Sequence, residues 1–276
     1  MLERAKSATS FARRLAASCA DDECLFLAGG VAYQLFFALI PLLALVVGVL
    51  GFVYGSDRAQ RELQQLLREI YPSASQQEVG IARQLVDGRA LSLGIGVLGT
   101  IFATSAVFSS IDSAMAAVLK AGKKRGFVRG YAASFGLVAG IALLAVASFA
   151  FSYGAQAAQG ALTSAGFGQT ARTVVAVVSP FLGLAAGFVF FSVIYRRVPR
   201  TPVRRRDARI AALVSAVLWE VAKVAFGFFT RALGTFSAYG PLAFAAGLLT
   251  WVYLTAVIIL VGAEVIKLRT ASAASA

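Results

Sequence analysis

The sequence predicts an all-α, polytopic membrane protein with six transmembrane helices, and three observations support this fold class. Of its 276 residues, 59% are hydrophobic and only 14% are charged, whereas soluble domains carry about 25% charged residues. Three long stretches contain no charged residue at all: 24–56, 130–171 and 232–263. Each stretch exceeds the length of about 20 apolar residues that crosses a bilayer as one helix.

The apolar runs define six predicted spans in chain order. The first, residues 26–54, is too long for the core of a signal peptide and follows a charged segment, so we expect an uncleaved helix. The second to sixth spans are predicted at residues 91–119, 130–153, 173–195, 209–231 and 237–263. Together they predict a single integral membrane domain over residues 1–276.

The basic residues predict the orientation of the spans. Lysine and arginine concentrate in the N-terminal segment, at the C-terminus, and in the loops after the second and fourth spans, as Lys120, Lys123, Lys124, Arg125 and Arg129, then Arg196, Arg197, Arg200, Arg204, Arg205, Arg206 and Arg209. Cytoplasmic loops are enriched in these residues, so both termini are predicted to be cytoplasmic. The predicted partners at this face are membrane lipids, including anionic headgroups.

The net charge of +13 does not indicate a nucleic-acid partner. The basic clusters lie where membrane topology requires them, and no aromatic-interleaved basic surface accompanies them. A homo-oligomer is compatible with the sequence, which neither requires nor excludes one.

The one long outer loop, residues 57–89, predicts a short helical hairpin. Its first half has leucines at helical spacing and ends at Pro72. Ser75 and Glu78 fit a capping box that starts a second short helix. Gly88 suits the C-cap of that helix.

The chemistry-bearing residues speak against an enzyme. The chain has no histidine, which removes the usual general base and the commonest metal ligand. Its two cysteines, Cys19 and Cys24, are too few for a thiolate metal site. Their spacing predicts two unpaired thiols rather than a redox motif, and the sequence predicts neither a metal nor another cofactor.

Glu220 and Lys223 are the main candidate site residues. Glu220 lies midway between Arg209 and Arg231, so it is about 16 Å from either along the fifth span. Lys223 follows three residues later on the same helix face. A charged residue at this depth costs roughly 2.5–3.5 kcal/mol on insertion. Two interpretations stay open: an ion pair that locks helix packing, or a polar path for a substrate or proton.

One further acid lies within a predicted span, and another lies at the end of one. Asp112 shares a face of the second span with Ser105 and Ser109. That pattern favours close helix packing over transport, although Asp112 remains a candidate cavity residue. Glu264 lies near the cytoplasmic end of the sixth span and precedes Lys267 by three residues, which is typical of an interfacial pair.

The first span carries polar residues within an apolar run, VAYQLFFALIP at 31–41. Pro41 lacks an amide donor and crowds the carbonyl of Phe37, so this carbonyl needs another partner. Gln34 projects from nearly the same face as Pro41, and Tyr33 is adjacent. We expect Tyr33, Gln34 and the Phe37 carbonyl to line the cytoplasmic half of the cavity that holds Glu220.

A set of short motifs runs from about residue 28 to 265 and includes Ala32–Tyr33 and Phe36–Pro41. Its other positions are Tyr195, Pro199, Trp219, Glu220, Tyr239, Gly240 and Glu264. In their order and spacing, these motifs resemble the YihY/BrkB family of bacterial inner-membrane proteins. The resemblance implies six membrane helices and a location in the bacterial inner membrane. Members have been described as virulence factors, as transporters and, in an old assignment, as a tRNA-processing ribonuclease.

Three classes of function remain after this comparison. The first is a transporter or flippase-like protein for an amphiphilic or anionic envelope molecule, such as a lipid. The second is a scaffold that binds envelope partners without transport. The third, an intramembrane enzyme, requires Ser109 or Asp112 beside Lys223. The ribonuclease assignment is disfavoured because the chain lacks histidine and a cluster of cytoplasmic carboxylates for a two-metal site.

Overall fold

The computed structural model describes residues 2–54, 89–121, 168–234 and 240–274, and every regular element within these ranges is an α-helix. Six helices are present in them: α1 Leu2–Asp21, α2 Cys24–Tyr54, α3 Arg89–Val118, α4 Gly168–Arg197, α5 Arg205–Gly234 and α6 Gly240–Ala274. This confirms the all-α class for the described part of the chain.

Five of the six predicted spans coincide with described helices, α2 to α6. Four stretches are long and apolar enough to cross a bilayer: Cys24–Leu42, Leu93–Val118, Arg205–Phe228 and Ala245–Ala271. The predicted third span, 130–153, lies outside the described residues, as do residues 57–88 of the predicted outer hairpin. The number of spans and their orientation therefore stay predictions.

The helix α1 is an element that the sequence analysis did not predict. Its partly or fully buried residues recur at helical spacing, as Phe11, Leu15, Ser18 and Cys19, while Arg13 and Arg14 are exposed. This one-sided pattern is that of an amphipathic helix. Arg13 and Arg14, two of the charges that marked the segment as a topology signal, lie on the exposed face, so they do not oppose helix formation.

Two tight turns end helices with a non-glycine residue in the left-handed region. Glu23 has φ 52° between α1 and α2. Lys120 has φ 52° after α3, and the Ala121 N–H donates to the Ala116 carbonyl at 2.9 Å. That bond from the second residue past the cap is the signature of a Schellman motif.

The described chain forms two compact units. The first combines α1, α2 up to Val31, α3 from Phe108, α4, α5 up to Ala232 and α6 from Tyr253. The second combines α2 from Ala32, α3 up to Val107 and α6 up to Val252. The sequence analysis predicted one membrane domain, and that prediction stays open.

Small residues let α5 pack closely in the first unit. Its buried face consists of Ala208, Ala211, Ala212, Ser215 and Ala216. A Cβ added at Gly187 of α4 would lie 3.5 Å from the Ala216 Cβ, which is ordinary contact. The opposite face of α5 carries large exposed side chains, so this helix has one packed face and one open face.

In the second unit, α2 and α3 cross at glycines. A Cβ added at Gly96 would lie 2.5 Å from the Leu45 backbone nitrogen, and one at Gly99 would lie 2.7 Å from the Pro41 Cβ. Small residues at such crossings allow backbones to approach closely in a bilayer. Pro41 lies inside the uninterrupted helix α2, and the absent side chain of Gly99 leaves room for its ring.

Candidate functional site

Glu220 and Lys223 form an ion pair on the open face of α5. The Lys223 Nζ lies 2.7 Å from the Glu220 Oε1, and the side chains are 41% and 24% exposed, respectively. The distance makes an ion pair, although Glu220 Oε1 has no partner in hydrogen-bond geometry among the described residues. The pair that the sequence predicted is therefore present, and its lysine remains accessible.

The pair lies in an open groove of about 660 Å³ between α4 and α5. Every other lining residue is apolar: Phe181, Leu184, Val217, Val221 and Val224. Phe181 is 68% exposed, and Val221 and Val224 are also exposed. The groove thus offers one charged pair inside a wide apolar surface.

Gly183 of α4 makes room for the pair. A Cβ added at this glycine would lie 2.7 Å from the Glu220 Oε1 and 2.9 Å from the Lys223 Nζ. These distances are shorter than real Cβ contacts, so any larger residue at position 183 displaces the charged groups. The glycine therefore leaves the space that the carboxylate and the ammonium occupy, and because both groups end flexible side chains, a larger residue would move them rather than disrupt the helices.

This arrangement suits an amphiphilic molecule. Charged side chains at bilayer depth are expensive and mark substrate or ion pathways when they remain accessible. Apolar walls with a few convergent polar groups are also the usual composition of a ligand site. An ammonium and a carboxylate can together hold a polar headgroup while the walls contact an apolar tail.

Asp112 lies elsewhere in the first unit and pairs with Arg200. Its Oδ2 accepts from the Arg200 Nε at 2.9 Å and lies 2.8 Å from an Arg200 terminal nitrogen. Its Oδ1 is buried with no hydrogen-bond partner among the described residues. No hydrogen bond joins Lys223 to Ser109 or Asp112 in the described chain, so the contact that the enzyme hypothesis requires is not observed.

Glu264 is the most buried of the three acids. Its side chain is fully buried, and its Oε2 lies 3.0 Å from the Lys267 Nζ. The Ser18 hydroxyl donates to the same Oε2 at 2.7 Å, and the Cys24 thiol donates to Oε1 at 3.6 Å. Glu264 therefore joins α1, α2 and α6, which is more than the interfacial pair that the sequence predicted.

Asp22 completes this cluster from the turn after α1. Its carboxylate pairs with Lys267, which thereby holds two acids. Burial raises the pKa of the Asp22 carboxyl, but the hydrogen bond and charge of Lys267 outweigh burial and hold that pKa below its ordinary range. Asp22 is therefore ionised at neutral pH.

Tyr195 ties α4 to α5 and α6. Its buried hydroxyl lies 2.7 Å from the Ser215 hydroxyl and donates to the Ile259 carbonyl at 3.0 Å. Ser215 donates to the Ile258 carbonyl at 3.3 Å. A Cβ added at Gly262 would overlap the Tyr195 hydroxyl. This family-motif tyrosine therefore connects three helices.

Tyr33, Gln34 and Pro41 all lie in the second unit. Tyr33 is 57% exposed and contacts Phe37, with ring centroids 4.6 Å apart. Gln34 is partly buried. Because Glu220 belongs to the first unit, the hypothesis that these residues line its cavity stays a prediction.

The remaining family-motif positions have structural surroundings or lie outside the described chain. Trp219 packs edge-on against Phe191, with ring centroids 6.1 Å apart. Pro199 is buried directly before Arg200, and Gly240 begins α6. Tyr239 lies outside the described residues.

The sequence analysis missed the distant partners of these residues. Arg200, Ser18, Asp22 and Ser215 are far along the chain from the groups they contact, so no helical spacing could indicate them. Arg269 similarly pairs with buried Asp207 at 2.8 Å. The described residues include no group of three or more histidine, cysteine, aspartate or glutamate side chains that could hold a metal ion.

Comparison with known proteins gives a family and several curated relatives. The family model described as "Virulence factor BrkB" matches residues 15–274. A UPF0761 membrane protein of Rhodospirillum centenum is 27% identical over 87% of this chain and 52% of its own length. One of Cronobacter sakazakii is 28% identical over 89% of this chain and 83% of its own length.

A UPF0761 membrane protein of Klebsiella pneumoniae is 30% identical over 67% of the chain and 63% of its own length. The chain thus spans about half the length of the Rhodospirillum relative and most of the Cronobacter one. These names describe membrane proteins and specify no reaction. No solved structure matches the chain.

Proposed function

The chain belongs to the BrkB family of membrane proteins, and on that premise we propose that it is a flippase-like transporter of an amphiphilic envelope molecule. Glu220 and Lys223 contact the polar headgroup in this proposal, while the apolar walls of the groove between α4 and α5 contact the tail. The molecule passes along the groove, so the polar headgroup never has to enter lipid alone.

One observation carries this proposal: an accessible ion pair in an apolar groove. A pair that serves packing alone is expected to be covered, as Glu264 is. Lys223 instead remains 41% exposed next to Phe181 and Val221, which are themselves exposed. An exposed ammonium at bilayer depth is unfavourable unless water or a polar ligand reaches it.

The transport cycle requires an orientation, and we propose the one that the basic residues predict. The protein then has six spans in the bacterial inner membrane, with both termini in the cytoplasm. In this orientation the arginine-rich end of α5 lies at the cytoplasmic surface. Glu220 lies about 16 Å along the helix from Arg209, near the middle of a hydrocarbon core about 30 Å thick.

A scaffold without transport is the second candidate function. The connection of α1 to α6 through Glu264 favours it, because a firmly held amphipathic helix provides a stable surface for a partner. Under this alternative, the wild-type protein moves no lipid, and Glu220→Gln changes only its stability or assembly.

The test uses purified protein in phospholipid vesicles with a fluorescent lipid and an impermeant quencher. We expect the wild-type protein to move the labelled lipid between leaflets. Glu220→Gln should lower that movement to the rate of protein-free vesicles, because Lys223 loses the carboxylate that neutralises it. Equal flux from wild-type protein and Glu220→Gln would overturn the assignment of this pair.

Two glycines of α4 provide a matched comparison. Gly183→Ala should reduce lipid movement because the new Cβ displaces the Glu220 carboxylate and the Lys223 ammonium. Gly187→Ala is the control, since its Cβ meets Ala216 at an ordinary contact distance. Both changes raise helix propensity by about 1 kcal/mol, so a difference between them reports on the groove.

A further inference from the structure

We propose that the open face of α5 is a binding site for a lipid with an anionic phosphate headgroup. Arg206 and Arg209 bind the phosphate at the cytoplasmic surface, and the acyl chain lies along Leu213 and Val217 towards the groove. The inference rests on the proposed function for the direction of transport, and it names the substrate class and its point of entry.

The geometry of α5 supports a continuous site. At 100° per residue, six residues of the open face fall within an arc of about 80°; they are Arg206, Arg209, Leu213, Val217, Glu220 and Val224. Five of the six are exposed, and Glu220 is partly exposed. The basic surface and the groove are therefore two ends of one helix face.

The arginines near this end of α5 fall into two groups, those that pair with a buried acid and those that form no ion pair among the described residues. Arg200 and Arg269 pair with the buried acids Asp112 and Asp207. Among the described residues, by contrast, no ion pair involves Arg204, Arg205, Arg206 or Arg209. The Arg209 Nε donates to the Arg205 carbonyl at 3.3 Å, which leaves its terminal nitrogens available.

A phosphate-bearing lipid satisfies both parts of the face. Guanidinium groups bind phosphate oxygens through paired hydrogen bonds. The apolar residues beyond them need an apolar covering, which a free phosphate ion does not supply. A zwitterionic phospholipid carries the same phosphate, but its own cationic group neutralises that charge and the arginines repel it, so the face favours a lipid with a net negative charge.

The test measures photocrosslinking in phosphatidylcholine vesicles that contain a minor fraction of phosphatidylglycerol with a photoreactive acyl chain. Crosslinks should concentrate on the stretch 210–224 of α5 in the wild-type protein. Arg206→Gln with Arg209→Gln should lower their yield by roughly tenfold, since each basic residue near the surface contributes to anionic lipid binding. Arg13→Gln with Arg14→Gln is the control, because it removes the same charge from exposed positions of α1.

Several outcomes would overturn the proposal. It is wrong if wild-type crosslinks lie mainly on other helices, a result that depends on no variant. It is also wrong if both arginine pairs have the same effect, if photoreactive phosphatidylcholine crosslinks equally well, or if inorganic phosphate competes fully with the lipid. Arg206→Lys with Arg209→Lys retains the charge but loses the paired hydrogen bonds of the guanidinium groups, so its yield should lie between those of the wild-type protein and the glutamine variant.

The result is separable from the proposed function. If the crosslinks behave as expected while no labelled lipid crosses vesicles, the binding site stands and transport does not. If removing the two arginines changes neither the rate of lipid movement nor the yield of crosslinks, the transport proposal stands and this entry site does not.

Discussion

Three acids lie within the predicted spans or directly after one, and their surroundings differ enough to suggest different roles. Glu264 is fully buried, accepts hydrogen bonds from a serine hydroxyl and a cysteine thiol, and forms an ion pair with a lysine. Asp112 is held by an arginine from the segment after α4. Glu220 has only its neighbour Lys223 as a described partner, and that lysine is 41% exposed. The exposure of this pair is why we propose a transport role for Glu220, whereas the covered surroundings of Glu264 and Asp112 favour a structural role.

Glu264→Gln should destabilise the protein without a specific transport defect. The change leaves Lys267 short of one of its two acids in a largely buried place. Because Lys267 keeps Asp22 as its counter-ion, the loss is that of hydrogen bonds to a charged acceptor, each of which contributes about 1.5–3 kcal/mol. Thermal unfolding in detergent should show the loss, whereas Glu23→Gln removes a charge from an exposed residue nearby and should be close to neutral. Equal melting temperatures for the two variants would contradict this role of Glu264.

At the scale of helices, α5 is defined by its two faces. Alanines and Ser215 on one face allow close packing, and the other face combines arginines, apolar residues and the Glu220–Lys223 pair. Tyr195 fixes the packed face by joining α4, α5 and α6 at one point. Because the packed face is held this tightly, the open face keeps a defined orientation.

Gly262→Ala should disrupt this junction. The new methyl group would overlap the Tyr195 hydroxyl, and such overpacking costs about 1–3 kcal/mol. Gly29→Ala is the control, because nothing lies within 4 Å of its added Cβ, and it should be neutral or slightly stabilising. Tyr195→Phe combined with Gly262→Ala should recover only a small part of the loss, because the Cζ of residue 195 and the Ser215 hydroxyl also lie too close to the new methyl group. Strictly additive unfolding free energies would exclude this contact as the cause.

At the scale of the molecule, the main property is its orientation across the membrane. Basic segments occur in α1, in the connection between α4 and α5, and at the end of α6. All three are predicted to lie on the same side of the membrane. Asp112–Arg200, Glu264–Lys267 and Asp207–Arg269 unite these segments within the first unit. Ion pairs of this kind are expected where the chain meets water and headgroups.

Reporter fusions test the six-span topology. A fluorescent protein that matures only in the cytoplasm should be bright at the C-terminus, and alkaline phosphatase joined after Ser75 in the outer loop should be active. The exchanged fusions, with phosphatase at the C-terminus and the fluorescent protein after Ser75, should be inactive and serve as controls. An active phosphatase at the C-terminus would mean an odd number of spans or an inverted orientation.

The sequence by itself determined the helical membrane class, five of the described helices and the Glu220–Lys223 pair. These features depend on composition and on spacing within one helix, which a linear pattern records. Tertiary structure alone decided that Arg200 meets Asp112, that Ser18 and Asp22 meet the Glu264–Lys267 pair, and that Gly183 opens onto Glu220. Such contacts join residues far apart in the chain, because a buried charge takes whichever partner the packing of helices brings near. The same packing covers one face of α5 and leaves the other open, and that is where function is proposed.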